Sequence, residues 1–172
     1  AELDQAKAAY ENVLETYSVL TTQTAAARLS LAEILFREER FREAIELYEK
    51  EISLRDSNDR IYQLARQGYI RKNVAAGEFL FRLGEIPSAQ SRFKELIDYD
   101  DRIIEAHRGY IKCAAVSGKI KSVLETYRKK LKSASDDPVW LYCNGLCLTY
   151  LNDYDSANEA RKLIEKSIRY NS

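Results

Sequence analysis

The chain has 172 residues, enough for one sizeable domain or a short solenoid, and its 27 basic and 27 acidic side chains leave no overall field favouring nucleic acid or an anionic membrane. Six glycines and two prolines, set against 45% hydrophobic and 31% charged residues, point to a water-soluble helical protein over a loop-rich, β-rich or disordered one. No apolar run approaches the ~20 residues needed to span a bilayer, and the opening AELDQAKAAYENVLE is charged and helical in pattern, unlike a signal peptide.

In chain order, residues about 1–20 read as a single helix carrying Ala6 and, four residues on, Tyr10. Residues about 25–58 read as a helix pair with Ala44 and Tyr48 in its second member, and residues about 59–101 repeat the arrangement with Ala89 and Phe93. Residues about 104–137 give Val123 and Tyr127, and 138–172 give Ala157 and Arg161. A small residue followed one turn later by an aromatic lets a neighbouring helix approach and then fills the contact.

Ahead of each small residue lies a turn column, Glu39, Gly84, Gly118 and Asn152, each followed two residues later by Phe41, Ile86, Ile120 or Tyr154. Gly and Asn at a helix end suit the left-handed conformation. The first helices carry Ala32, Gly77 and Gly145, with Leu35, Leu80 and Leu148 three residues on, where two helices of one hairpin would cross. The steps from position 89 to 123 and from 123 to 157 are both 34 residues, whereas that from 44 to 89 is longer by 11. Those extra residues, with Ser57, Asn58 or Asp59 as N-caps and no proline before Pro87, predict one overlong helix over 59–83.

These columns and this period resemble the tetratricopeptide repeat family across nearly the whole chain. The resemblance implies an all-α fold, a right-handed α-solenoid of stacked antiparallel helix hairpins running as a single array over 1–172. It implies a leading half repeat and four full hairpins, the one over about 104–137 departing from the pattern at Ile111 and Ala114. The chain contains no Met and starts inside an amphipathic pattern, so it is expected to be a piece of a larger protein.

The resemblance also implies function without catalysis: first helices line a concave groove that holds a peptide or helix of a partner protein. The groove register falls on Leu29, Glu33, Phe36 and Arg37; on Arg71, Val74, Glu78, Phe81 and Arg82; on Glu105, Arg108 and Lys112; and on Val139, Tyr142, Leu146, Thr149 and Tyr150. Glu33 and Arg37, like Glu78 and Arg82, also stand four apart in the order that favours an ion pair within one helix. The Lys, Asn and Arg clamp with which chaperone-binding members hold a terminal carboxylate is not reproduced, since Leu29, Glu33, Val74 and Glu78 occupy comparable places. The alternative function is a structural spacer or self-association element, with apolar residues such as Ile164 and Ile168 at an uncapped end forming a homo-oligomer contact.

Other chemistries find little support. Cys143 and Cys147 lie four apart with Cys113 in the same column as Cys147, but the only histidine, His107, is six residues from Cys113, so small buried cysteines are expected in place of a metal site. No nucleophile, histidine and carboxylate fall together, and no phosphate or dinucleotide fingerprint occurs, so neither catalysis nor a cofactor is expected. The basic run KIKSVLETYRKKLKS lacks interleaved stacking aromatics and reads as a solvated outer face instead of a nucleic-acid surface. No membrane contact is expected of these residues. An odd cysteine number without scaffold density points to a reducing, cytoplasmic setting and leaves a periplasmic one open.

Overall fold

The computed structural model describes residues 2–17 and 22–170, and every regular element among them is an α-helix. The backbone divides into two compact units, residues 1–75 and 76–172. The described part of the first unit holds α1 (Glu2–Thr16), α2 (Thr22–Arg37), α3 (Phe41–Ser53) and the greater part of α4 (Arg60–Arg82). The second unit holds the end of α4, then α5 (Ile86–Tyr99), α6 (Ile104–Val116), α7 (Ile120–Ser133), α8 (Pro138–Thr149) and α9 (Tyr154–Tyr170).

The turn column sets the hairpins. Glu39, Gly84, Gly118 and Asn152 are the described residues with left-handed backbone, at φ of 61°, 80°, 71° and 57°. At the first three the following N–H returns to the carbonyl five residues earlier, from Arg40 to Leu35, Glu85 to Leu80 and Lys119 to Ala114, which satisfies carbonyls the helix end would leave bare. The second helices then begin at Phe41, Ile86, Ile120 and Tyr154.

Glu39 is the member of this column whose side chain least suits a positive φ. A left-handed residue with a Cβ costs about 1–2 kcal/mol, and glycine gives part of that back as chain entropy. Glu39→Gly is therefore expected to stabilise the protein by about 0.5–1 kcal/mol, read as a higher urea midpoint. An unchanged or lower midpoint would contradict the strain.

In the first unit, Leu31, Leu35 and Ala44 form an apolar cluster, with Tyr10 and Leu14 of α1 and Phe36 and Leu47 packed against it. The overlong helix is present. Asp59 caps it by accepting from the Ile61 N–H at 2.7 Å, and 23 residues at 1.5 Å each make it about 35 Å long. Its early turns are seated on α3 where Gly68 meets the Tyr48 ring, a contact that leaves no space for a Cβ, while Ala65 is wholly buried and Tyr69 nearly so.

In the second unit, Phe93 lies between Gly77 and Gly109, its ring 2.7 Å and 2.3 Å from where a Cβ on each would stand. The larger cluster joins Ile111, Val123, Leu124 and Tyr127 to Val139, Trp140, Cys143 and Cys147. The last hairpin departs from the column. Ala157 and Arg161 are exposed, and Ala160 and Ile164 take their places against Gly145. A Cβ at Gly145 would come within 3.1 Å of the Ala160 carbonyl, so glycine here admits α9 backbone close to α8 and α9 presents a face three residues further on.

Candidate functional site

The first unit contains a cleft of about 430 Å³. Leu29, Ser30 and Glu33 of α2 line one wall, Tyr48 of α3 the floor, and Leu64, Gln67, Gly68 and Arg71 of α4 the other wall. Leu64, Gln67 and Gly68 belong to the helical turns that exceed the standard repeat. Leu64 is half exposed and lines the cleft, while Ala65 and Gly68 of the same turns are packed inward.

Glu33 is the polar centre of this cleft. It accepts from the Tyr48 hydroxyl at 2.7 Å, an Arg71 guanidinium nitrogen at 3.0 Å and the Lys72 ammonium at 2.7 Å. Partial burial works to raise its carboxyl, but hydrogen bonds from Lys72 and Tyr48, with the charges of Lys72 and Arg71, hold it below the ordinary carboxylate range. Burial, then the bond to Glu33, pushes the Tyr48 phenol well up. The ion pair expected within α2 is thus replaced, Glu33 reaching α3 and α4 instead of Arg37.

Phe36 is half-buried, 4.8 Å from the Phe41 ring across the turn and capped by Lys72 at 4.4 Å. In the second unit Phe81 is likewise half-buried and capped by Lys112 at 4.3 Å. Phe81 shares a smaller recess of about 100 Å³ with Glu78, Glu105, Arg108 and Lys112, and Arg108 donates to the Tyr142 hydroxyl at 3.2 Å. Arg37, Arg82, Thr149 and Tyr150 are exposed, and Val74 and Leu146 half-buried. Val139, expected in the groove register, is instead in the core beside Trp140.

Two features had no signal in the sequence. Glu51 is wholly buried on α3 between Arg28 of α2 and Arg55, and Arg55 bonds onward to Asp59 at 3.0 Å. The spacing of Arg55 from Glu51 and Asp59 was available, but nothing in the sequence joined Arg28 to them. His107, wholly buried, donates from Nε2 to the Asp101 carbonyl at 3.0 Å and accepts at Nδ1 from the Tyr127 hydroxyl at 2.7 Å, with Trp140 edge-on at 5.5 Å. With the ring neutral, as burial favours, the Asp101 carbonyl requires its proton on Nε2.

Burial pushes His107 below its ordinary value of 6.5, and Lys130 adds to the effect against the Asp101 hydrogen bond. A depressed pKa means that the unfolded chain takes the proton first. Stability is therefore full above about pH 6.5 and falls as pH drops toward the lowered folded value. Because His107 is the only histidine, His107→Gln is expected to flatten the urea midpoint between pH 7.5 and 5.5, followed through the single tryptophan, Trp140. Equal slopes in the two proteins would contradict this assignment.

The cysteines are buried and free. Burial pushes the Cys147 thiol up to about 12 and raises Cys113 and Cys143 as well, so thiolate chemistry is suppressed at neutral pH. Among the described residues no group of three His, Cys, Asp or Glu side chains is placed to hold a metal, and no helix is long and apolar enough to cross a membrane.

The tetratricopeptide repeat family model matches residues 1–59, and the left-handed turn column continues the same hairpin arrangement through Asn152. Over that stretch, residues 1–59, the chain matches the tetratricopeptide repeat. Among solved structures, the repeats are similar to YrrB, described as a TPR protein with an unusual peptide-binding site, at 19% identity and a TM-score of 0.45, covering 98% of this chain and 78% of that one. MamA gives 18% identity and a TM-score of 0.47 over 98% and 88% of the two chains. A putative kinesin light chain of Podosopora anserina with nearly identical TPR-like repeats gives 11% and 0.50 over 98% and 85%. The last of these is a likeness of fold alone. A search of curated proteins finds no match to the chain.

Proposed function

We propose that these tetratricopeptide repeats act as a non-catalytic interaction module, in which first-helix faces hold a peptide segment of a partner protein. The tetratricopeptide match over residues 1–59 supports the reading of a protein-interaction scaffold. The observation that carries the finer reading is the first-unit cleft, whose size lies within the ~300–1,000 Å³ of ligand pockets and whose walls mix leucines with a few fixed polar groups. Half-buried Phe81 and its charged neighbours support a second, weaker contact within the other unit.

Selection of displayed random-sequence peptides against the purified chain tests this reading. Enriched peptides are expected to bind the wild type and to lose binding to Leu64→Ser, a change at a half-exposed position expected to fold normally, checked by far-ultraviolet circular dichroism. Failure to enrich any sequence, or enrichment indifferent to Leu64, would overturn it.

A further inference from the structure

The chain is neutral overall, yet its first unit is sorted by charge. The second-type helices α1 and α3 carry eight acidic side chains against three basic ones. The helices α2 and α4 reverse this along their sequences. On α2 stand Arg28 and Arg37 against the single acid Glu33, and α4 carries Arg60, Arg66, Arg71 and Lys72 with no acidic residue before Glu78. Arg28 is spent on the buried Glu51, but at the cleft itself the one carboxylate, Glu33, is held between two cations, Arg71 and Lys72, which leaves one positive charge in excess there. Such a surface attracts anionic ligands and disfavours cationic ones at the encounter.

Within the cleft the positive group best placed for a ligand is Arg71. Its side chain is 71% exposed and it bonds Glu33 through one terminal nitrogen, whereas Lys72 is only 12% exposed and committed to Glu33 and to the Phe36 ring. A guanidinium presents several donors in one plane, so engaging Glu33 at one nitrogen leaves capacity for a second carboxylate. The apolar wall is Leu64, seven residues before Arg71 on the same helix. Seven residues of α-helix advance about 10 Å, the distance covered by three residues of extended peptide at about 3.3 Å each.

We propose, building on the peptide-binding reading above, that the first-unit cleft takes an acidic, extended peptide in which an aliphatic side chain lies against Leu29 and Leu64 and a carboxylate three residues away pairs with Arg71. The extra turns of α4 are what make this ligand readable. They supply Leu64 and Gln67, and Gly68 lets the Tyr48 ring close the floor. Without them Arg71 would have no apolar side chain on its own helix to set the spacing, and Leu29 alone would face it.

The peptides enriched from the displayed random library supply the probes. They are expected to share an aliphatic residue with an Asp or Glu three positions away. A synthetic copy with that acid replaced by its amide is expected to bind about tenfold more weakly in fluorescence polarisation, since the amide cannot form the charge-assisted bond to Arg71. Arg71→Gln should remove the preference for the acid over its amide, and raised salt should narrow it in the wild type. Because Arg71 is largely exposed, Arg71→Gln is expected to fold normally, checked by its far-ultraviolet circular dichroism. Enriched peptides without an acid, or an acid preference that survives in folded Arg71→Gln, would overturn this proposal while leaving peptide binding standing. Absence of any enrichment would overturn both.

Discussion

Glu51→Ala should lower the stability of the protein by about 3–5 kcal/mol, the cost of removing one partner from a buried ion pair. Glu51 is wholly buried, and both of its oxygens are engaged, one by Arg28 and the other by Arg55. The side chains of Arg28 and Arg55 are only 12% and 9% exposed. Truncation would strand two guanidinium groups with little access to water, one of which already holds a buried nitrogen, Arg55 Nη2, without a partner. The network also fixes the approach to α4, since Arg55 reaches Asp59 and Asp59 caps that helix. The urea midpoint should therefore fall sharply, and amides at Ile61 to Tyr69 should exchange faster than in the wild type. A midpoint within about 1 kcal/mol of the wild type would show that the charges find water and that the network contributes little.

Phe93→Ala is the second large effect, with an expected loss of about 3–5 kcal/mol. The ring is 1% exposed and fills the space between two glycines, Gly77 and Gly109. Backbone on both sides is already as close as a residue without a Cβ allows, so neither side can collapse readily into the void. The reciprocal change tests the same packing: Gly109→Ala would set a Cβ 2.3 Å from the ring and is expected to cost about 1–3 kcal/mol through overpacking. If Phe93→Ala and Gly109→Ala each cost little, the close approach of these helices around the ring would be disproved.

Phe93 and Glu51 mark where the sequence is readable and where it is not. Phe93 stands in a repeated column, as do Ala89, Gly77 and the turn residues, and repetition exposes a local rule without knowledge of distant partners. The four turn positions, the four helix starts after them and the long α4 follow from such rules. Glu51 lies in no column. An acid on a helix looks solvent-facing until Arg28, far away in sequence, is placed beside it, and that placement is tertiary. His107 is a similar case, its bonds to Asp101 and Tyr127 depending on how a turn and two helices meet.

Among the candidate site residues the register identified Leu29, Glu33 and Arg71, three of the side chains that line the first-unit cleft. It missed Leu64 and Gln67, because a pattern of fixed length has no place for residues inserted before its first position. It also assigned Glu33 to Arg37, since an ion pair within a helix is visible from spacing and one across three helices is not. In the last hairpin the column assumed that α9 would present Ala157 and Arg161, whereas the close approach at Gly145 brings Ala160 and Ile164 to the contact.

The most direct test of the account is amide chemical-shift mapping of the labelled chain titrated with a library-enriched peptide. The account predicts saturable shifts concentrated on Leu29 to Glu33 of α2 and Leu64 to Arg71 of α4, absent from the same titration of Leu64→Ser. Shifts concentrated on the acidic faces of α1 and α3, with the α4 residues unmoved, would contradict it.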